Sequence, residues 1–586
     1  MMKAELIRER LVNDIKFAHL REEVLKTTER YVLEGMPKLT YSLFRLFENS
    51  GEREQYQRVY FGRRGILSAL ALTSLASDNP VHCEALQDVI WDICNEYTWC
   101  LPAHLPAGSS VSSPLTVDLF AAETAHTLAE IVILLQDKLS SDIQLRVRME
   151  VERRVFEPVF SSDKLLHWET AEHNWAAVCG GTIGMAALLL VKDDDRLAKM
   201  IQRMKAAMNC FLSGYGEDGG CAEGIGYWEY GFGYFVYFAD MLSEYSRGLD
   251  DLLDLDKIRA IATFPEAVHL SGGVFANYSD SPERMAIQTG LLGYLGKRFG
   301  ECTSVMSQSV PGLHDDPCYR WAHLIRNIAW TETRMPAESA PFSTGLTQLN
   351  TLGWYIDRRG TDSYTTAFST KAGHNGEPHN HNDLGHFIIH GGGMNILCDL
   401  GSGFYTRDYF GEGRYSILNN SSAGHSVPVL NGFYQAAGKQ FCAKVIDVQE
   451  TERGSTIELD LTHAYPLEAE LGGFIRRFMW ECGECPDAFV LNIEDRIDFV
   501  NTNATEVEER FISRICPEIT QGTIIWADSR VHLSLHYDPV RFQTKMEIIQ
   551  QQDHAGKRDI VYMTKLSRNN NDKESIELFR FDLQSM

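Results

Sequence analysis

Thr331-Glu-Thr-Arg-Met-Pro-Ala-Glu-Ser-Ala-Pro-Phe-Ser-Thr-Gly345 divides this chain into two unlike halves. The segment is rich in Pro, Ser and Ala, carries no periodic apolar face, and reads as a linker. On its N-terminal side, apolar residues recur at i, i+3, i+4 spacing. Arg64 to Leu75, Leu115 to Leu135, Trp175 to Leu190, Arg196 to Leu212 and Phe232 to Tyr245 are examples, and that period predicts helices from residue 1 to about 330. Short Gly or Pro breaks, such as Leu101-Pro102 to Gly108 and Gly214 to Gly220, separate them. On the C-terminal side the period shortens to two. Phe387 to His390, Ser455 to Leu461, Phe489 to Ile493, Val531 to His536 and Ile560 to Thr564 are rich in β-branched and aromatic residues, and predict an antiparallel β-sandwich. The expected organisation is a helical domain over 1–335 followed by a β-sandwich over 345–586. No fixed-period repeat points to a tetratricopeptide-like array.

At 586 residues the chain is long enough for separate cores. Its net charge of −25 argues against a nucleic-acid partner, which needs a basic surface. No apolar run is long enough to span a bilayer, so no membrane partner is expected. Met1 to Arg30 is charged and reads as an amphipathic helix without a signal-peptide core. The 13 Cys are odd in number and scattered. Together these features read as a reducing, cytoplasmic setting. Cys482-Gly-Glu-Cys485 has no second Cys pair near it and reads as a turn between strands rather than half a zinc site.

Three clusters carry chemistry. The first is His374-Asn-Gly-Glu-Pro-His379-Asn-His381-Asn-Asp383, followed by Asp399 in Ile396-Leu-Cys-Asp and His425 in Gly-His-Ser-Val-Pro. In an extended segment His379 and His381 share a face, with Asp383 next in line. His381, Asp399 and His425 offer two imidazoles and a carboxylate for one divalent metal ion, zinc first and manganese second. Each of these His, taken alone, also suits a hydrogen-bonded polar loop. His-x-His-x-Asp opens the metallo-β-lactamase-type motif too, but that motif continues with His where this chain has Leu384. The second cluster is Glu172-His173-Asn174-Trp175-Ala-Ala-Val-Cys179, where an Asn opening a helix is first of all a cap. The third is Gly216-Glu-Asp-Gly-Gly-Cys-Ala-Glu223-Gly-Ile-Gly-Tyr227-Trp228, whose five Gly between 216 and 226 suit a close backbone approach. Tyr227 enters the next helix there, either as a packing aromatic or as a functional phenol.

Together these clusters resemble the heparinase II/III-like polysaccharide lyases and their alginate-lyase relatives. The resemblance rests on Asn-Trp-x-Ala-Val-Cys, Glu-Gly-x-Gly-Tyr-Trp, His-Asn-His-Asn-Asp-x-Gly and Gly-His-x-Val-Pro, in order from about residue 40 to residue 435. Ile93-Cys-Asn-Glu-Tyr-Thr-Trp99-Cys-Leu-Pro-Ala-His104 is similar as well. The resemblance implies an (α/α) toroid followed by an antiparallel β-sandwich, and β-elimination of uronate-containing chains. Glycosaminoglycans such as hyaluronan, chondroitin sulfate and heparin-type chains are the first expectation, and alginate or oligoalginate the next.

Carried over residue by residue, the resemblance makes Asn174 the ligand of the uronate carboxylate and Tyr227 the acid and perhaps also the base. His379 becomes a base or a further carboxylate ligand. Tyr415, preceded by Arg414, is placed within reach of substrate. Trp99, His104, Trp175, Glu223, Trp228, His374 and Arg414 are expected to contact substrate. Some relatives have His directly after the Asn, where this chain has Trp175, so the imidazole comes either from His173 or from the sandwich alone. The partner is then an anionic poly- or oligosaccharide, which a local Arg and Lys cluster must attract against the global charge. A different class, an inverting glycoside hydrolase on a helical toroid, would use Glu217, Asp218 or Glu223. A non-catalytic sugar-binding protein is the third class.

Overall fold

The computed structural model describes residues 3–106, 113–300, 309–332, 344–360, 365–483, 488–501, 505–554, 556–570 and 573–585. Most of the expected linker, Gly108 and Cys485 therefore lie outside the described residues. Two compact units emerge. One comprises Met1–Gly214, Tyr227–Arg259 and Ala286–Ala337; the other comprises Tyr215–Gly226, Ala260–Met285 and Glu338–Met586.

The first unit is helical. Helix Asn174–Leu190 lies at its centre, packed on Leu119–Leu134, Asp194–Ser213 and Gly233–Tyr245. It is buried almost all round, as an apolar helix without a polar face must be. Two of these neighbours begin at side-chain caps that satisfy otherwise orphaned amides. The Asp118 carboxylate accepts from the Ala121 N–H at 2.8 Å, and Asp193 accepts from the Arg196 N–H at 2.8 Å. The N-terminal helix is not continuous as expected. Asp14 accepts from the Lys16 N–H, and a short 3-10 turn, Ile15–Phe17, separates Ala4–Asn13 from Ala18–Glu34. Among the described residues no helix is long and apolar enough to cross a membrane.

The expectation of helices alone up to residue 330 also needs correction. His269–Ser271 and Val274–Phe275 form a small antiparallel hairpin, which belongs to the second unit with residues 215–226.

The second unit is built from antiparallel sheets. Five strands pair in the order Gly345–Leu349, Trp354–Arg359, Thr366–Lys371, Phe387–Gly391, Met394–Leu397. Nine form a larger sheet whose middle holds Glu574–Ser585, Ala488–Phe499, Leu471–Cys482 and Gly454–Asp460. Four more include Arg558–Asn570 and Thr505–Ser513. In Leu471–Cys482 and Ala488–Phe499 burial alternates residue by residue, the mark of sheets with one face on a core. That core joins Phe368, Phe387, Ile457, Phe478, Leu491, Phe511, Trp526 and Phe581 from all three sheets.

Charged residues also stand on the core face. Arg476 lies between Phe474 and Phe478, paired in register with Asp495. Its guanidinium donates to Asp495 at 2.8 and 2.6 Å and to Glu509 at 2.9 Å. It also donates to the carbonyls of Gly385 (3.2 Å) and Ser426 (3.3 Å), which neighbour two histidines of the candidate site.

Candidate active site

In the helical unit, His173 occupies the N-cap position with extended backbone and no side-chain cap bond, and Asn174 is the first helical residue, buried. The expected Asn cap is therefore not formed by Asn174. The chain enters the next helix through a π-helical turn, Trp228–Phe232, directly after Tyr227. Gly231 of that turn packs on Asn174: a Cβ there would lie 3.2 Å from both its Cα and Cβ. The helix start and the Tyr227 turn are thus neighbours although far apart in sequence. Tyr227 itself is half-buried.

Several expected sugar contacts are packed inside. Trp99 is 1% exposed, its indole N–H donates to the Ile93 carbonyl at 2.9 Å, and Arg154 covers its ring. Trp228 is fully buried beside Phe232. A ring without an open face cannot stack on a sugar, so both are core residues. Trp175 is half-buried with the rings of His104 and His167 tilted against it, and the His104 Nδ1 lies 2.7 Å from the Asp118 carboxylate.

In the second unit, residues 376–386 are not an extended strand as expected but a series of turns, and His379 sits at φ +56°. His379 and His381 nevertheless meet at one carboxylate, that of Asp280. His379 Nδ1 lies 2.8 Å from Asp280 Oδ2, and His381 Nε2 lies 3.0 Å from Oδ1. The Tyr409 hydroxyl donates to Oδ1 and Arg414 donates to Oδ2 at 3.1 Å. Burial pushes the Asp280 carboxyl up, but the hydrogen bonds from the two histidines outweigh it and hold it well below the usual range.

Asp280 comes from the loop after the small hairpin. Asn277 ties that loop to the Asp399 carbonyl at 3.3 Å. Gly401 has φ +64°, and a side chain there would meet the Ser281 carbonyl at 2.3 Å, so only Gly fits. The Gly-rich loop 216–226 behaves similarly: Gly216, Gly219 and Gly224 approach Thr351, Ala260 and Ser281, so the partners of that close approach are other loops of the chain. It carries Glu223, whose Oε1 lies 3.4 Å from His379 Nε2.

The remaining expected residues have defined places. Arg414 is held by Asp280 and by the carbonyls of Asn380 (2.9 Å) and Tyr409 (3.0 Å), and so braces the loop. The Tyr415 hydroxyl donates to Asn380 Oδ1 at 2.8 Å, and His374 Nδ1 accepts from the Gly376 N–H at 3.2 Å.

Behind this layer, His381, Asp383, Asp399 and His425 are fully buried, with one ligand atom from each lying within 4.8 Å of the others. The protons explain why they face one another. His425 Nε2 donates to the Asn419 carbonyl at 2.9 Å, so its Nδ1 carries a lone pair, 3.4 Å from Asp399 Oδ2. His381 Nε2 donates to Asp280, so its Nδ1 also carries a lone pair, 4.0 Å from Asp399 Oδ1. Neither Nδ1 nor Asp399 Oδ2 has a hydrogen-bond partner.

Buried lone pairs confronting a carboxylate are costly unless a cation lies among them. Two ligands about 2.0–2.1 Å from a tetrahedral ion lie about 3.3 Å apart, close to the 3.4 Å between His425 and Asp399 and shorter than the 4.0 Å between His381 and Asp399. The group could therefore hold a metal ion. Asp383 is shared: its Oδ1 accepts from buried Lys371 at 2.8 Å, and its Oδ2 has no partner.

His386 stands beside the group but plays another part. Its Nδ1 accepts from the Ser426 N–H at 2.9 Å, which leaves the proton on Nε2, directed at Asp399 Oδ2. Burial lowers its pKa to about 3, so it stays neutral, with Nε2 3.4 Å from Asp399 Oδ2.

The β half of the chain, which carries this His/Asp group, is similar to heparinase II/III-like proteins. Residues 343–578 match the family described as "Heparinase II/III-like, C-terminal", and the resemblance seen in the motifs holds. The whole chain is similar to the structure described as "Heparinase III-BT4657 gene product", with a TM-score of 0.64 at 11% identity, covering 100% of this chain and 93% of that one. It is similar also to a mutant of the heparan sulfate lyase HepC from Pedobacter heparinus, with a TM-score of 0.59 at 12% identity, covering 99% and 93%. The fold is therefore the (α/α) toroid and β-sandwich of these structures. No curated protein matches the sequence.

Proposed function

We propose that the protein is a polysaccharide lyase that cleaves uronate-containing chains by β-elimination. The observation that carries this reading is the Asp280–His379 pair. A buried carboxylate holds Nδ1–H of the imidazole, which leaves Nε2, 3.4 Å from the Glu223 carboxyl, as the nitrogen that takes up the substrate proton. Support comes also from the fold, shared with a protein described as a heparan sulfate lyase.

In the reaction, the proton at C5, α to the uronate carboxylate, is removed and the C4–O bond breaks, leaving a C4=C5 double bond. That C–H is a very weak acid unless the carboxylate is neutralised and the developing negative charge stabilised. Asn174 is assigned to the carboxylate. Tyr227 gives the leaving oxygen its proton, and His379 is the base. His173, at the N-cap, is the alternative imidazole. His381, Asp399 and His425 would hold zinc, which fixes the loops that carry His379 and Tyr415.

Glycosaminoglycans are the first substrate class and alginate the second. The glycoside hydrolase stands behind both. Asp218, one of its candidate acids, accepts from the Gly220 and Thr351 N–H groups at 3.2 and 2.7 Å, and so works as a turn residue.

The test is turnover of a panel of uronate polysaccharides by the wild type, Tyr227→Phe and Asn174→Ala. Each variant should lose at least ~100-fold. The double variant should lose far less than the product of the two, since both act on one transition state. Near wild-type turnover by Tyr227→Phe would overturn the assignment.

A further inference from the structure

One buried carboxylate touches two imidazoles through different oxygens and opposite ring nitrogens. An ionised carboxylate only accepts, so each imidazole must place its proton on the nitrogen that faces Asp280. His379 is then protonated on Nδ1 and His381 on Nε2. For His381 the consequence is that Nδ1, the atom facing Asp399 and His425, is left with its lone pair. We propose that Asp280, which is not itself one of the grouped ligand residues, makes His381 able to bind a metal ion and at the same time orients His379. Metal affinity and the aim of the base then depend on one positioning residue. The inference rests on reading His381, Asp399 and His425 as a metal site.

The surroundings dictate what Asp280→Asn should do. All four neighbours of the carboxylate are donors: His379 and Arg414 at Oδ2, His381 and Tyr409 at Oδ1. The amide nitrogen of Asn must face one pair. Arg414 has no lone pair and cannot accept. The Tyr409 hydroxyl can rotate to accept, and His381 can accept by moving its proton to Nδ1. The amide nitrogen therefore turns to the Oδ1 side, and His381 presents N–H where a metal ion would need a lone pair. His379 keeps its bond to the remaining oxygen. The substitution should thus separate the two functions, weakening metal affinity while leaving His379 oriented.

Two measurements test this. The first is zinc affinity by competition with a chromophoric chelator, for the wild type and Asp280→Asn. The expected result is a 10–100-fold weaker affinity in the variant, the range for losing the partner of a ligating His. The second is the ring 15N shifts of the metal-free proteins at about pH 8, assigned with His379→Ala and His381→Ala. His381 should be protonated on Nε2 in the wild type and on Nδ1 in Asp280→Asn, with His379 protonated on Nδ1 in both. Zinc affinity of the variant within about two-fold of wild type would overturn the proposal. So would a wild-type His381 protonated on Nδ1, and that spectrum decides alone if the variant does not fold. Predicted tautomers in a wild type that binds no zinc would sink the metal reading and the affinity claim, while the role of Asp280 in orienting both rings would stand.

Discussion

Gly231→Ala probes the contact between the Tyr227 turn and Asn174 without touching either side chain. The added Cβ would lie 3.0 Å from Phe211 Cε2 and 3.2 Å from the Cα and Cβ of Asn174. Phe211 can swing; the Asn174 Cα belongs to a helix start and cannot move alone. Relief needs a shift of a few tenths of an ångström between the turn and the helix. Overpacking of this kind costs about 1–3 kcal/mol, against which Ala gains about 0.5–1 kcal/mol over Gly in a helical turn. Stability should therefore fall modestly, by a few degrees in Tm at most. A misplacement of 1 Å costs about 100-fold in rate, so a third of that should cost roughly 3–10-fold in kcat, with KM little changed. Gly62→Ala is the control: nothing lies within 4 Å of its Cβ, and it should stabilise by about 0.5–1 kcal/mol with turnover unchanged. Steady-state kinetics with melting curves decides the matter. Wild-type kcat in Gly231→Ala with an unchanged or raised Tm would refute the close-contact reasoning.

Three other perturbations have definite outcomes. Arg476→Met strands the buried carboxylates of Asp495 and Glu509 and frees the carbonyls of Gly385 and Ser426; a loss on the order of 3–5 kcal/mol is expected in denaturant unfolding, and metal affinity should weaken with it. Burial raises the Glu123 carboxyl from 4.5 to about 7, with Arg320 and the hydrogen bond from Tyr230 only partly offsetting it. The folded chain then keeps a proton that the unfolded chain releases, so this contribution is full below about pH 4.5 and lost as pH rises through about 7. Glu123→Gln should flatten the Tm-against-pH curve and gain on the order of 1–3 kcal/mol relative to wild type between about pH 5 and 8; parallel curves would count against it. His381→Ala should abolish stoichiometric metal and lower Tm, and a chelator should lower the wild-type Tm but not that of the variant. Metal analysis that finds no bound divalent ion in the wild type would end that reading.

The division into helical and β halves was legible because each half keeps one hydrophobic period over many residues, as in Asp194–Ser213 and Val531–His536. His381, Asp399 and His425 were legible because their local motifs stand close together in the sequence. Asp280 was not. It reaches His379 and His381 across 99 and 101 residues, from a loop, Asn277-Tyr-Ser-Asp280-Ser, that resembles any polar turn. Its one visible signal is an acid in a polar run that interrupts the helical pattern. His386 was missed for a different reason: only the Ser426 N–H at its Nδ1 separates an orienting imidazole from a ligating one. Trp99 and Trp228 were misjudged because aromatic composition suits both a sugar cleft and a core, and only burial tells them apart. The expected same-face extended run of His379 and His381 failed at the φ of +56°, a backbone choice that side-chain periodicity does not encode.

The central claim, β-elimination, is tested most directly by the product. Wild-type protein incubated with hyaluronan, chondroitin sulfate, heparan sulfate or alginate should release oligosaccharides bearing a C4=C5 double bond conjugated to the carboxylate. Ultraviolet absorbance should rise with time, and the new non-reducing end should lack the elements of water that hydrolysis would add. Tyr227→Phe should slow that rise by at least ~100-fold. Chain cleavage without new ultraviolet absorbance, with products heavier by one water, would contradict the account and identify a hydrolase instead.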